Sequence, residues 1–284
     1  MTDARSGPAT SDSLSPLRRV DVTRVNGGTV ERASDLAATE EPLEIRLHDH
    51  PFAVIMRTPG HDRELAAGFL LAERVISTLD DLGAVEHCRH PDHEQAHHVV
   101  QVFLHGAAAA RVPEILEGRR RTVANASCGV CGRATIESLR QQAPPLTSSC
   151  RVPRDIIVAL PDALKAHQSV FEETGGLHAA GLFEAGGELR IAAEDVGRHN
   201  AVDKVVGAML LADRLPLHDT ILMVSGRVSF EIVEKAWAAG IPIVAAVSAP
   251  SSLAIDLAQE AGITLIGFLR AGTFNIYAHG DRIV

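Results

Sequence analysis

Regular alternation between strand-like and helix-like stretches through the final third of the chain constrains the fold more than any other feature. Glu188–Ala192 precedes Ala201–Ala212, Thr220–Val224 precedes Phe230–Ala239, Pro242–Val247 precedes Leu253–Ala261, and Ile263–Leu269 closes the series. Gly240 and Gly262 stand just past two of the helices, where a left-handed residue ends a helix. Such alternation predicts a largely parallel α/β sheet. No internal repeat is visible.

The rest of the chain reads differently. With 284 residues there is length for about two domains. Residues 1–17 are dense in Ser, Thr, Asp, Gly and Pro and have little to bury, which predicts a disordered tail. Strand-like runs at Leu43–Leu47, Ala53–Arg57 and Val99–Leu104, with a helix-like Arg63–Glu73 between the last two, predict a smaller α+β domain over 18–122. Residues 123–153 hold a cysteine pair and a linker marked by Pro144, Pro145 and the small polar residues after them; 154–284 form the α/β domain.

Composition excludes several classes. Thirty-six acidic residues against 27 basic ones give a net charge of -9, which repels a polyphosphate backbone, and ten aromatics leave few stacking platforms for bases. The longest apolar stretch, Ile241–Ala249, contains Pro242 and is too short to cross a bilayer. No secretory signal pattern opens the chain, so the expected location is the cytoplasm. In that reducing compartment Cys88, Cys128, Cys131 and Cys150 are metal-binding, redox-active or free rather than a disulfide set.

Cys128 and Cys131 are separated by Gly129 and Val130, followed by Gly132, and lead into the helix-like ATIESLRQQ. Thiols at a helix start meet free N–H groups and the positive end of the dipole, which favour thiolate, and the first cysteine is the stronger nucleophile. The glycines let a partner's sulfur or a large cofactor approach the backbone. Two other readings stay open. A structural zinc knuckle needs four ligands and would have to recruit Cys150, Cys88 or loop histidines. A thiol-disulfide oxidoreductase also uses Cys-x-x-Cys at a helix start, but here the pair precedes the α/β pattern.

Ligands of open parallel sheets bind beyond the carboxyl ends of the strands. Three polar loops fall there: Glu194 to Asn200, Ser225 to Ser229, and Ser248 to Ser252. Phe268-Leu269-Arg270-Ala271-Gly272-Thr273 closes the last strand and adds an arginine beside a glycine. Together these predict a concave site suited to phosphates. Ser residues before helices are also common caps. Neither a Walker loop nor G-x-G-x-x-G is present. Zinc deaminases carry H-x-E and then P-C-x-x-C; at His178 the matching position is Ala180, and no cysteine follows Cys150, so that chemistry is gone. In the insert EHCRHPDHEQAHH, His87, Cys88, His90, His93, His97 and His98 could capture a metal, but with Asp92, Glu94 and Gln95 among them it reads more simply as a solvated tip between two strands, and no metal site is predicted in it.

Taken together, Ser127-Cys128-Gly129-Val130-Cys131-Gly132, GLHAAGLF, EDVGRHNAVDKVVG, SGRVSFEIVEKAWAAGIP and VSAPSSLAIDLA with GFLR and FNIY resemble the formate dehydrogenase accessory sulfurtransferases, the FdhD family, from about residue 20 onward. The resemblance implies a cytidine-deaminase-like C-terminal α/β domain and a homodimer. It implies that sulfur from a cysteine desulfurase is delivered to the bis-guanine-dinucleotide molybdenum or tungsten cofactor of a formate dehydrogenase catalytic subunit, the cofactor being a bound substrate. Cys128 would then carry the persulfide, Cys131 would assist its release, Phe268, Leu269, Arg270, Ala271, Gly272 and Thr273 would bind the cofactor, and the loop at Arg198 would assist.

Overall fold

The computed structural model describes residues 15–88, 96–120 and 144–284. Among them are several sheets and eight α-helices, a mixed α/β architecture. The described residues open with a two-stranded antiparallel ribbon, β1 (Leu17–Asn26) and β2 (Thr29–Ala38), joined at Gly27 and Gly28. Gly27 has φ +57°, the left-handed conformation that a tight hairpin turn demands. Most of the ribbon is exposed, so it gave no hydrophobic alternation to read.

A four-stranded sheet follows in the order β4-β3-β6-β5, from β3 (Glu41–Leu47), β4 (His50–Arg57), β5 (Leu82–His87) and β6 (Val99–Leu104). Leu43, Ile45 and Leu47 point inward along β3 while Glu44 and Arg46 alternate outward. Between β4 and β5 runs α1 (Asp62–Ala72), burying Leu65, Leu70 and Leu71. Two helices, α2 (Gly106–Ala110) and α3 (Val112–Arg120), follow β6.

The second sheet has six strands in the order β12-β11-β10-β9-β7-β8. These are β7 (His178–Glu184), β8 (Leu189–Asp195), β9 (Thr220–Val224), β10 (Ile243–Ala246), β11 (Thr264–Arg270) and β12 (Thr273–Ala278). Only β9, β10 and β11 are parallel neighbours; β7 is antiparallel to both β8 and β9, and β12 to β11. The sheet is therefore less parallel than the alternation predicts. The turn at Gly187, with φ +93°, folds β8 straight back onto β7, and Ala271 with Gly272, both at positive φ, fold β12 onto β11.

Helices cover both faces. One face, with Leu182, Leu222, Val224, Val244 and Leu265, packs against α6 (Arg198–Leu211), α7 (Phe230–Ala239) and α8 (Ser252–Ala261). The other, with Phe183, Ile221, Met223, Ile243 and Ile266, packs against Ile157, Leu160 and Leu164 of α4 (Arg154–Lys165). A short α5 (Ser169–Thr174) precedes β7. Gly240 and Gly262 end α7 and α8 at φ +77° and +69°, where the sequence puts them.

Helices α1 and α6 join the two sheets' cores. A Cβ on Gly68 would collide with the Asp203 backbone, and one on Gly207 with that of Glu64, so the helices touch backbone to backbone. One continuous apolar core therefore runs from Leu43 through α1 and α6 to Leu265. The segment read as a linker lies along the C-terminal unit: Leu146 N–H donates to Ala261 O, Trp237 Nε1 to Pro144 O, and Val152 pairs with Ile283.

Candidate functional site at one edge of the six-stranded sheet

Strand direction decides which residues share an edge. The carboxyl ends of β9, β10 and β11, at Val224, Ala246 and Arg270, lie on one side; β8 also ends there at Asp195, while antiparallel β7 and β12 begin there at His178 and Thr273. The polar loops named from sequence all belong to this edge.

Backbone hydrogen bonds knit them together. Val228 N–H donates to Ala249 O at 3.2 Å, Ser251 N–H to Val228 O at 2.9 Å, and Phe268 N–H to Ser248 O at 3.1 Å. Gly267 is needed for this closeness, since a Cβ there would stand 2.9 Å from Pro250. Ser225 Oγ accepts from Ala179 N–H at 2.9 Å. Gly226 lies beside both His178 and Arg198: a Cβ would come within 3.3 Å of His178 Nδ1 and 3.7 Å of Arg198 Cδ. Burial, then the Arg198 and His199 charges, lower the pKa of His178 and favour a neutral imidazole. Arg198 Nε is closed to solvent without a hydrogen-bond partner among the described residues.

The serines divide between two tasks. Ser251 Oγ accepts from Ala254 N–H and caps α8, the ordinary structural use. Ser229 precedes α7 but does not cap it; its hydroxyl donates to Glu231 Oε2 and meets His199 Nε2, both at 2.9 Å. His199 Nε2 is also 2.9 Å from Glu231 Oε2. A nucleophile relay needs serine and carboxylate on opposite imidazole nitrogens, and here one nitrogen faces both, so this cluster is a positioning device. Burial raises the Glu231 pKa, but hydrogen bonding and charge from His199, with Ser229 adding, leave it below the ordinary carboxylate value.

The acids of Glu194 to Asn200 do not face a ligand space. Glu194 accepts from the Val170 and Phe171 N–H groups at the start of α5. Asp195 is fully buried and accepts from Thr58 N–H at 3.1 Å, Gly197 N–H at 2.8 Å and Asn200 Nδ2 at 2.8 Å, with Lys204 Nζ 2.8 Å away. Sequence reading missed Thr58 and Lys204. Lys204 had a signal, a lone cation inside the apolar run of α6; Thr58 had none.

Phe268 to Thr273 divides sharply. Phe268, Arg270, Ala271, Gly272 and Thr273 are exposed, with the Arg270 guanidinium 5.7 Å from the Phe268 ring centroid. Thr273 Oγ1 donates to Arg270 O at 3.1 Å. Leu269, in contrast, is 1% exposed and packs in the second core, so its side chain serves the fold. Arg270 on an aromatic face at a permissive turn is the part of this stretch suited to a phosphate or a planar base.

Cys128 and Cys131 lie outside the described residues. Cys150 is buried and desolvation raises its pKa, which makes it inert; Cys88 is half-buried at the end of β5. Among the described residues no helix is long and apolar enough to cross a membrane. His97 and His98, at the C-terminal end of the histidine-rich insert, are half-buried on a 3-10 turn, which corrects the reading of that part as a solvated tip.

Comparison with known proteins places the chain in a family. "Sulfur carrier protein FdhD" of Sulfurisphaera tokodaii is 47% identical over 271 residues, covering 94% of this chain and 99% of that protein. The protein of the same name in Streptomyces coelicolor is 49% identical, covering 93% and 95%, and that of Anaeromyxobacter dehalogenans 50%, covering 91% of each. A crystal structure assigned as a formate dehydrogenase accessory protein from Desulfotalea psychrophila superposes with a TM-score of 0.75 at 25% identity, covering 95% of this chain and all of that one. Residues 38–284 match the FdhD/NarQ family, and the chain belongs to it.

Proposed function

We propose that this protein is a sulfur carrier in formate dehydrogenase maturation, accepting sulfur from a cysteine desulfurase on Cys128 and passing it to the guanine-dinucleotide molybdenum or tungsten cofactor as substrate. The observation that carries the reading is the contrast among the cysteines: Cys150 is sealed in the core, whereas Cys128 stands in the glycine-flanked Cys128-Gly129-Val130-Cys131. The relatives named as sulfur carriers support it. A deaminase-like C-terminal unit and a homodimer enter the proposal with the family resemblance, and a cytoplasmic location enters it from the sequence reading.

The chemistry runs in two balanced steps. The Cys128 thiolate attacks the outer sulfur of the desulfurase persulfide, forming the Cys128 persulfide and releasing the desulfurase thiolate. The Cys131 thiolate then attacks the inner Cys128 sulfur, closing a Cys128–Cys131 disulfide and expelling hydrosulfide to the cofactor metal. A cellular dithiol reduces the disulfide and resets the carrier. The Arg270–Phe268 pair and the loop at Arg198 hold the nucleotide end of the cofactor.

The test is a strain carrying Cys128→Ala. Formate dehydrogenase from it should contain metal and cofactor but lack the terminal sulfur ligand and be inactive. Fully sulfurated, active enzyme from that strain would overturn the proposal in favour of a chaperone that only holds the cofactor.

A further inference from the structure

The start of β3 meets the turn before β6. Donor atoms of Glu41, His97 and His98 there all lie within 4.8 Å of one another. The imidazole rings of His97 and His98 are 3.9 Å apart at their centroids and tilted by 46°. Although the His98 ring also interacts with the Pro42 backbone, its Nδ1 is closed to solvent and lacks a hydrogen-bond partner of ordinary geometry among the described residues. Its neighbour is Glu41 Oε2 at 3.7 Å. That gap is too long for a hydrogen bond. It is close to the separation of two ligands on one tetrahedral zinc ion, about 3.4 Å for bonds of about 2.1 Å.

We propose that Glu41, His97 and His98 form a binding site for one divalent transition-metal ion of the zinc class.

Two imidazoles and a carboxylate are a donor set such ions favour, and three protein donors leave a fourth position for water or another exchangeable ligand. The surroundings prepare the carboxylate. Arg57, fully buried, is held by Asp62 through Nε at 2.9 Å and NH2 at 3.1 Å, and its NH1 donates to Glu41 Oε2 at 3.2 Å. Arg57 thereby orients the Glu41 carboxylate and uses one of its several lone-pair positions. Asp62 balances the arginine, so Glu41 supplies the local negative charge that an ion would neutralise. Glu41 pairs with Arg57 across β3 and β4, and the histidines sit on a 3-10 turn leading directly into β6, so one donor stands on a strand and the other two on a turn anchored to the next one.

The experiment is zinc titration by calorimetry on the full chain carrying Cys128→Ser and Cys131→Ser, which removes the thiolates that could compete for the ion. One equivalent should bind, and cobalt in its place should give visible bands without thiolate charge transfer. Adding His97→Ala and His98→Ala should weaken binding by at least about 100-fold, and adding Glu41→Gln instead by at least about 10-fold. Circular dichroism and thermal midpoints in chelator check that these chains fold; if the histidine variant does not, the Glu41→Gln result decides. Absence of zinc binding by the cysteine-free parent would overturn the proposal. So would unchanged affinity in the folded variants, or loss only with His90→Ala and His93→Ala. Sulfur transfer is read on Cys128, so failure here and failure of the sulfur-carrier reading are separate results.

Discussion

Lys204 Nζ lies 2.8 Å from Asp195 Oδ2, both side chains sealed from solvent, and the ammonium also donates to the backbone carbonyl of Thr58 at 2.9 Å. This pair fastens the β4–α1 turn to the start of α6, and so ties the four-stranded sheet to the edge that carries the polar loops. Asp195→Asn keeps the shape and removes the charge, leaving Lys204 buried without its counter-ion. We expect a loss of about 3–5 kcal/mol. Urea denaturation checks it, and a loss below about 1 kcal/mol would contradict the role given to the pair.

The α1–α6 contact admits no side chain at its crossing. Gly207→Ala gains about 1 kcal/mol of helix propensity, but its Cβ collides with the Glu64 carbonyl and forces the helices apart, at a cost of about 3 kcal/mol or more. The clash wins, so a net destabilisation of about 2 kcal/mol is expected from chemical denaturation. Gly118→Ala, where a Cβ meets nothing within 4 Å, should not destabilise the chain.

Neighbours at the end of β11 should separate by phenotype. Leu269→Ala opens a cavity in the second core and should cost about 2–5 kcal/mol. Arg270→Ala alters an exposed side chain and should leave the thermal midpoint in place. On the proposed function it removes a charge-assisted contact to phosphate worth about 1.5–3 kcal/mol, a loss of tenfold or more in affinity for guanosine diphosphate. Calorimetric titration of the two variants tests the split.

The lowered pKa of His178 has a definite consequence for acid stability. Burial first, then the charges of Arg198 and His199, disfavour its protonation in the folded chain. The unfolded chain therefore takes up the proton first. Stability contributed by the neutral ring is present above the ordinary value of 6.5 and is lost as the pH falls below it through the folded pKa. His178→Gln should flatten that part of the stability profile, which denaturation at a series of pH values on both sides of 6.5 measures.

Much of the six-stranded sheet was legible because its elements announce themselves locally. The β9 and β10 runs are short and apolar, and glycines end α7 and α8 where a helix must stop. What local pattern does not carry is direction. The hairpin turns at Gly187 and Gly272 set β8 antiparallel to β7 and β12 antiparallel to β11, and with β7 also antiparallel to β9 only β10 of the six strands has parallel neighbours alone. The exposed β1–β2 ribbon lacked a hydrophobic face, although Asn26-Gly27 is a hairpin signal. At the site, Arg270 and Phe268 stood in plain sequence, but the inward turn of Asp195 and Glu194 depends on partners distant in sequence or on α5, and short-range spacing could not supply these. His97 and His98 looked like part of a polar loop because Glu41 and Arg57 come to them from another part of the chain.

The sulfur-carrier account is tested most directly by incubating the chain with a cysteine desulfurase and cysteine, then weighing the peptide that contains Cys128. The account predicts that this peptide gains the mass of one sulfur atom, that a thiol reductant removes it, and that Cys128→Ala abolishes the gain while Cys150→Ala does not. An unmodified Cys128 peptide after turnover of an active desulfurase would contradict it.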